Sequence, residues 1–257
     1  MKFLIFGSCS GMLPVADRHH TSFAIAINDR IYWFDAGENC SRTAYLMGVD
    51  LLAVSDIFIS HPHMDHVGGL GNLLWNIRKL SIQSNTPPRF DGVRVYSPNM
   101  HTLDGVLTIL QHTEGNYQTA YPTIFKKVND GVLLDNNDIQ IQALHNHHLE
   151  QTSDGWQSFS FRIIAENKKI IYSGDIKSIE DLHKFLKDGC DALFIETGHH
   201  KAEDICRYIL ERQYSVKQLY FLHHGRRILT NFDGVLQQCK DIFANVYFCN
   251  DKDVFTI

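Results

Sequence analysis

The stretch HPHMDH at residues 61–66 follows the apolar run Ile57–Ile59, with Ser60 between them. Three imidazoles and one carboxylate therefore stand at the end of a predicted β-strand. Neutral imidazole and carboxylate are good ligands for zinc, and also for iron or manganese. Two histidines at positions i and i+2 can converge on one cation, while Asp65 and His66 can face a second. The stretch therefore predicts a site for two divalent metal ions.

The length of 257 residues suits either one large layered domain or two smaller domains. Apolar residues make up 44% of the chain, which is enough for a substantial core. The formal net charge of −5 gives no general attraction to nucleic acid or to an anionic membrane. The composition therefore indicates a globular protein and no membrane partner; the substrate expected from the metal site is a small molecule or a nucleotide.

Histidine and cysteine are informative about chemistry and compartment. Many of the 15 histidines form clusters after apolar runs, which predicts that several strand ends deliver ligands to one place. The six cysteines include no C-x-x-C pair, so we expect buried thiols in a reducing compartment. The apolar run at residues 3–6 is too short for a signal peptide, and no apolar run approaches a membrane span. We therefore expect a cytoplasmic protein.

Alternating apolar patterns predict strands and hairpins at the start and in the middle of the chain, with helices after each strand cluster. Helices are predicted over residues 69–80, 179–187 and 201–212. Such a pattern indicates an α/β fold in which two sheets are covered by helices on the outside, a four-layer sandwich. The polar segment Thr113–Pro122 is predicted to be a loop that covers the substrate.

The HxHxDH motif at residues 61–66 resembles that of the metallo-β-lactamase superfamily. The segments Phe6–Gly11 and Ala143–Glu150 look similar to its ribonuclease Z-like, phosphodiesterase branch. The resemblance covers nearly the whole chain with its motifs in the expected order. It implies one metallo-β-lactamase-like domain over residues 1–257 with the αββα architecture. The segment Asp35–Gly37 resembles the superfamily's DxG turn, in which the aspartate supports the metal loop and is not catalytic.

The resemblance also implies a set of seven ligands. One cation would be held by His61, His63 and His148, the other by Asp65, His66 and His223, with Asp175 bridging both. For the third histidine of the first cation, His145, His147 and His148 are all candidates; the spacing of the ribonuclease Z branch favours His148, and His147 is the main alternative. Likewise the arginine four residues after the ligand favours His223, while His224 stays open.

Such a centre would act through a water that two metal ions share and activate as a hydroxide nucleophile. Asp65 would orient or deprotonate that water and is the predicted catalytic residue. The metals are two divalent ions, with Zn²⁺ preferred and Mn²⁺ or Fe²⁺ as options. Arg226 and Arg227, beside the last ligand, are predicted to bind phosphate oxygens, or else are a solvated pair. These features favour a phosphodiesterase.

Two departures from known branches narrow the function. Ser173-Gly174-Asp175 stands where zinc β-lactamases of the commonest class carry a cysteine ligand, which argues against β-lactamase activity. The His-Glu-Ala-Thr stretch of ribonuclease Z is replaced by residues 195–200, where His199 and His200 are candidates to substitute for its acid. We also find no basic arm that would clasp transfer RNA. Together with the acidic balance, this argues against transfer RNA as a substrate.

Two alternative functions share the same residues. One is hydrolysis of a thioester or a lactone, in which the same water attacks a carbonyl carbon. The other is a non-hydrolytic di-metal protein such as a di-iron redox or sensor domain, although the chain has no room for the flavin or rubredoxin module of such relatives. A homodimer is kept as one option for the assembly.

Overall fold

The computed structural model describes residues 1–12, 14–113 and 117–257. Over these residues the backbone forms two seven-stranded β-sheets. The strands, in chain order, are β1 (Lys2–Gly7), β2 (Ser22–Ile27), β3 (Arg30–Phe34), β4 (Val54–Phe58), β5 (Val93–Ser97), β6 (Thr123–Lys127), β7 (Gly131–Asp135), β8 (Gln140–His145), β9 (Phe159–Ala165), β10 (Lys168–Tyr172), β11 (Cys190–Thr197), β12 (Val216–His224), β13 (Val246–Phe248) and β14 (Val254–Thr256).

Each sheet combines an antiparallel half with a parallel half. The first sheet has the order β14-β1-β2-β3-β4-β5-β6, and its strands from β3 to β6 run parallel. The second has the order β13-β12-β11-β10-β9-β8-β7, with β10 to β13 parallel. Parallel strands end at the same edge of a sheet, and ligands of open α/β sheets bind beyond such carboxyl ends. The loops after β4, β10, β11 and β12 are therefore the ones to inspect.

Helices cover the outer face of each sheet. They are α1 (Cys40–Leu46), α2 (Met64–Val67), α3 (Leu70–Ser84), α4 (Met100–Gln111), α5 (His183–Leu186), α6 (Ala202–Glu211), α7 (Arg226–Thr230) and α8 (Phe232–Ile242). Apolar residues of α1, α3 and α4 pack on the first sheet, and those of α5, α6 and α8 on the second. The predicted α/β class and four-layer αββα sandwich are confirmed. No helix formed by the described residues is long and apolar enough to cross a bilayer.

Aromatic side chains fill the space between the two sheets. Phe3 of β1 stacks on Phe194 of β11 with 4.6 Å between ring centroids, and Phe23 of β2 meets Tyr172 of β10 edge-on at 4.9 Å. These rings are buried, and such pairs add about 0.5–1.5 kcal/mol each to the energy of apolar burial. Because the contacts join one sheet to the other, they fix the distance between the loops that each sheet delivers to the site.

Several short elements differ from the sequence-based expectation. The helices α2 and α7 and the strand β14 were not predicted, and the predicted helix over 179–187 is a 3-10 turn, Ile179–Leu182, followed by α5. Elements of three to five residues are too short to show a hydrophobic period. Residues 114–116 of the predicted covering loop lie outside the described residues. In the described remainder Tyr121 is buried against the first sheet's helices.

Candidate metal centre

Seven predicted side chains meet where the loops of the two sheets face each other. The loop after β4, with α2, supplies four of them, and the segments after β8 and β10 and the end of β12 supply one each. The side chains are His61, His63, Asp65, His66, His148, Asp175 and His223. Their positions span 162 residues of sequence, so the meeting is a product of the fold and not of local spacing.

The seven residues form two groups that have Asp175 in common. We name His61, His63, His148 and Asp175 the first group, and Asp65, His66, Asp175 and His223 the second group. Within each group the nitrogen or oxygen atoms that could bind a cation lie within 4.8 Å of one another. Three or more histidine and carboxylate ligands at such separations are typical of catalytic zinc sites.

Buried polar atoms without partners test whether a cation fits this arrangement. The Nε2 atoms of His61 and His66 and the Oδ1 atom of Asp175 are buried and have no hydrogen-bond partner among the described residues. A buried polar atom normally has a partner, because its desolvation is otherwise uncompensated. All three atoms belong to the two groups, so the donor set fits divalent metal ions.

Asp35 organises the metal loop from behind. Its carboxylate accepts hydrogen bonds from the Ser60 backbone N–H at 2.7 Å, from the Ser60 hydroxyl at 2.8 Å, from His66 Nδ1 at 2.9 Å and from the Tyr172 hydroxyl at 2.5 Å. Because the Ser60 hydroxyl donates to Asp35, it accepts from His61 Nδ1 at 3.0 Å. Both imidazoles are thereby oriented through Nδ1, which leaves Nε2 for a cation.

Glu196 performs the same task on the second sheet and was not given a role by sequence reasoning. It is buried, it accepts hydrogen bonds from the backbone N–H and Nδ1 of His199 at 2.9 Å, and it lies 3.7 Å from His223 Nδ1. The available signal was its position directly after the apolar run of β11, at the carboxyl end of a parallel strand. His199, which sequence reasoning left open, is therefore held at the edge of the second group.

Backbone geometry at His223 is unusual for a residue with a side chain. Its φ of 55° lies in the left-handed region, which costs about 1–3 kcal/mol at residues other than glycine. Gly198 permits the close approach, because a Cβ atom there would lie 2.6 Å from His223 Nδ1. Such a backbone conformation persists where other contacts hold the residue in place. At His223 one such contact is the ion pair of Nε2 with Asp65 at 3.0 Å.

The structure also distinguishes the alternatives left open at two ligand positions. His148 Nε2 lies 3.3 Å from His63 Nδ1, whereas His147 and His145 turn away to Asp181 and Asp130. His223 faces Asp65, whereas His224 is buried on the opposite side, with Nε2 donating to the Cys249 carbonyl at 2.9 Å and Nδ1 3.0 Å from the Thr197 hydroxyl. The geometry brings His148 and His223 into the groups; their role as ligands stays a prediction.

The charges of the two groups are mutually dependent. Burial opposes ionisation of Asp175, but His223 and His66 outweigh burial and hold the pKa of this carboxyl well below its usual value. For His223, burial opposes protonation, yet Asp175 and Asp65 raise its pKa to about 9. Burial, reinforced by His66, lowers the pKa of His61. Ionised carboxylates and neutral His61 are the states in which these groups bind cations.

The two predicted phosphate-binding arginines are not part of the meeting point. Arg227 donates two hydrogen bonds of 2.5 Å to Glu203, and this pairing ties it to α6. Arg226 is exposed at the start of α7. His200, the other open candidate, donates from Nε2 to the Ile176 carbonyl at 2.9 Å. The substrate role of Arg226 and Arg227 stays a prediction.

A cleft of about 250 Å³ opens onto the two groups. One wall is the loop after β1, where Gly11 lies so close to Asp65 that a Cβ atom would be 2.8 Å from its carboxyl carbon. Asp251 fixes this loop by accepting hydrogen bonds from the backbone N–H groups of Ser8 at 2.9 Å and His19 at 2.7 Å. The other walls include His63, Gly198 and His199. The centre is therefore reachable by a substrate.

The fold and the centre are those of the metallo-β-lactamase superfamily of metal-dependent hydrolases, and the chain is similar in sequence to ribonuclease Z proteins. A ribonuclease Z from Picrophilus torridus is 24% identical over 307 aligned residues, which cover 99% of this chain and 95% of that protein. The family model described as "Anti-Pycsar protein Apyc1" matches residues 1–212, and the chain belongs to that family.

Solved structures show the same fold. The short form of human tRNase Z superposes with a TM-score of 0.73 at 18% identity, covering 100% of this chain and 99% of that one. The metallo-β-lactamase fold protein YhfI from Bacillus subtilis also gives 0.73, at 17% identity and 99% coverage of both chains. At these identities the likeness concerns the fold alone.

The expectation that transfer RNA is an unlikely substrate is wrong. The relatives found by sequence carry the name ribonuclease Z, and a human tRNase Z shares the fold. The expectation relied on the net charge of −5 and on the lack of a basic arm. Net charge averages over the whole surface, whereas phosphate binding depends on the few cations near the site.

Proposed function

We propose that this protein hydrolyses phosphodiester bonds with two divalent metal ions, one held by His61, His63 and His148 and one by Asp65, His66 and His223, with Asp175 bound to both. The observation that supports this proposal is the sharing of Asp175 by two groups of donor atoms that each lie within 4.8 Å. Zinc is the proposed metal because imidazole nitrogen and carboxylate oxygen suit it, with manganese or iron(II) as substitutes.

Bound cations would supply a nucleophilic water at neutral pH and would stabilise the charge that develops on phosphoryl oxygens. Asp65 lies on the wall of the cleft, and His223 and His66 hold the pKa of its carboxyl below the usual range against the effect of burial. It therefore stays ionised and can accept a hydrogen bond from an attacking water, which orients that water.

His199 is the proposed proton donor to the leaving oxygen. Its Nδ1 donates a hydrogen bond to Glu196. This hydrogen bond raises the pKa of the imidazole by more than burial lowers it. Nδ1 being occupied, Nε2 is available on the wall of the cleft. A protonated imidazole beside a departing alkoxide is a general acid that contributes about 10²–10⁴-fold to such reactions.

The proposed substrates are nucleotides and RNA. RNA is included because of the names that the relatives carry, ribonuclease Z and tRNase Z. The proposed compartment is the cytoplasm, since all six cysteines are free and buried. A phosphodiester in an RNA end and one in a small nucleotide offer the centre the same reacting group, so both belong in the test.

The test is turnover of bis(p-nitrophenyl) phosphate by purified protein loaded with zinc or manganese. We expect hydrolysis by the native chain, none by D175A, and full activity in D233A, which removes an exposed aspartate of α8. Cleavage of thioesters or lactones without any phosphodiester would favour the carbonyl hydrolase. Iron with redox-active spectra and no hydrolysis would favour the non-hydrolytic di-metal protein.

A further inference from the structure

A second cavity, of about 450 Å³, borders the cleft at His199. His199 lines both spaces, so they share that side chain as a wall. The second cavity lies between the segment after β10 and the start of α6. Its polar lining comes from Lys177, Ser178, His200, Lys201, Asp204 and Tyr208.

The lining of the cavity includes two lysines and one aspartate. Lys177 and Lys201 are exposed, and neither ammonium group has an ion-pair or hydrogen-bond partner within the part of the chain that the structure describes. The acidic residue on the lining, Asp204, is already engaged by Arg207 at 2.8 Å. Two unpaired ammonium groups at one cavity attract an anion, and an ammonium group is a strong point-charge donor to phosphate.

The two lysines are held at fixed places relative to the centre. Lys177 follows Asp175 by two residues, and Lys201 follows His199 by two. His200 Nε2 donates to the Ile176 carbonyl at 2.9 Å, and the Ile176 N–H lies 3.3 Å from Glu196 Oε1. These hydrogen bonds join the two lysine-bearing segments directly behind the cleft. The lysine backbones therefore cannot separate without disturbing Glu196.

We propose that this cavity binds a second phosphate group of the substrate. The inference rests on the proposed phosphodiesterase function and narrows its substrate class. A diester that carries a further phosphate would place one phosphorus at the two groups and the other between Lys177 and Lys201. Oligonucleotides and nucleotides with a terminal phosphate have this form, and simple diesters do not.

The test compares three dinucleotides on the metal-loaded protein: one without a terminal phosphate, one with a 5′-phosphate and one with a 3′-phosphate. We expect the better phosphorylated form to have a kcat/KM about tenfold above the unphosphorylated form, as two partly screened charge pairs would give. The identity of that form shows on which side of the scissile bond the cavity lies. The preference should fall as ionic strength rises.

In the double variant K177A/K201A, the kcat/KM for the better phosphorylated dinucleotide divided by that for the unphosphorylated one should fall to about one. The matched control is K184A/K240A, which removes the same charge from two exposed lysines that do not line the cavity. An equal ratio in the native protein and K177A/K201A, or an equal drop in the control, would overturn the inference. Failure of the native protein to cleave bis(p-nitrophenyl) phosphate would instead refute the proposed function.

Discussion

The first and second groups share Asp175 but differ in what stands behind their histidines. In the second group His66 donates to the buried carboxylate of Asp35 at 2.9 Å, and His223 lies 3.7 Å from buried Glu196. In the first group the partner of His61 Nδ1 among the described residues is the Ser60 hydroxyl at 3.0 Å, and the exposed His63 faces another imidazole, that of His148.

This difference predicts which of the two groups should hold its cation more firmly. A carboxylate behind an imidazole fixes the ring and makes its free nitrogen a stronger ligand, and loss of such a partner typically costs 10–100-fold in metal affinity. We therefore expect the second group to bind first and to release last. The first group, open to solvent at His63, should exchange its cation more readily.

The largest effect is expected from D175A, since Asp175 is the residue that belongs to both groups. The variant should lose both cations and lower phosphodiester hydrolysis by at least about 10³-fold, as expected when a catalytic charge centre is removed. Elemental analysis of the purified variant, alongside D233A, measures the bound metal. Retention of one equivalent of metal would show that the two groups are more independent than their shared carboxylate indicates.

Next in size, D35N should weaken metal binding at the second group by about 10–100-fold. The amide keeps the shape of the side chain but lacks the charge that orients His66 and Ser60. S60A, which removes the hydroxyl contact of His61, should weaken the first group by less. Both affinities can be measured by competition with a chelating dye.

The variant H63A shows which of the two metal affinities measured with the chelating dye belongs to the first group, because His63 is an exposed member of that group. We expect it to remove the weaker of the two binding steps. If H63A removes the tighter step, or if S60A costs more affinity than D35N, the comparison between the groups has the wrong order.

A smaller effect concerns His224, which is buried next to His223 of the second group. Burial lowers its pKa to about 3, whereas a histidine of the unfolded chain titrates near about 6.5. Between these values the unfolded state binds one more proton. The free energy of unfolding therefore falls as pH decreases, by up to about 1.4 kcal/mol per pH unit.

H224Q should remove that contribution, since glutamine can still reach Thr197 and the Cys249 carbonyl but does not titrate. The measurement is urea unfolding of the chelator-treated protein at pH 7 and pH 5, with and without the substitution. The same change between the two pH values in both proteins would mean that His224 is not buried in its neutral form.

The smallest effect is expected from the arginines that follow His223. R226A should raise KM for a phosphodiester about two- to fivefold, because an exposed charge contact is partly screened by solvent. R227A should change the unfolding midpoint more than KM, since it leaves buried Glu203 without its partner. Steady-state kinetics and thermal unfolding separate the two roles, and an unchanged KM in R226A would end the predicted substrate contact.

The parts of the molecule that sequence could predict are those with a local signature. The HxHxDH stretch and the apolar strands before it indicated the fold class and the residues at which to look. Of the two carboxylates that support the second group, Asp35 was indicated by the resemblance of residues 35–37 to the DxG turn, whereas Glu196 had no such signature. Asp35 contacts His66, which lies 31 positions away in sequence, and Glu196 faces His223, which lies 27 positions away. The pairing of strands brings each carboxylate to its histidine.

The same limit explains the substrate expectation that failed. Charge was summed over the chain, where 29 acidic residues exceed 24 basic ones. Lys177 and Lys201 are unremarkable in the sequence, because nothing local shows that the ends of β10 and β11 lie side by side. The parallel pairing of those strands is what places both lysines beside the candidate centre.

Asp251 accepts two backbone hydrogen bonds from the loop after β1, so the cleft at the centre can be complete only after Asp251 has been synthesised. The ribosome adds Asp251 and the residues of β14 after all seven predicted ligands have been made. Until they emerge, β1 lacks its partner at the sheet edge and the loop that carries Gly11 has no anchor. The cleft is therefore complete only after Asp251 has been made, and a stalled nascent chain that ends before Asp251 would present the predicted ligands without this wall of the cleft.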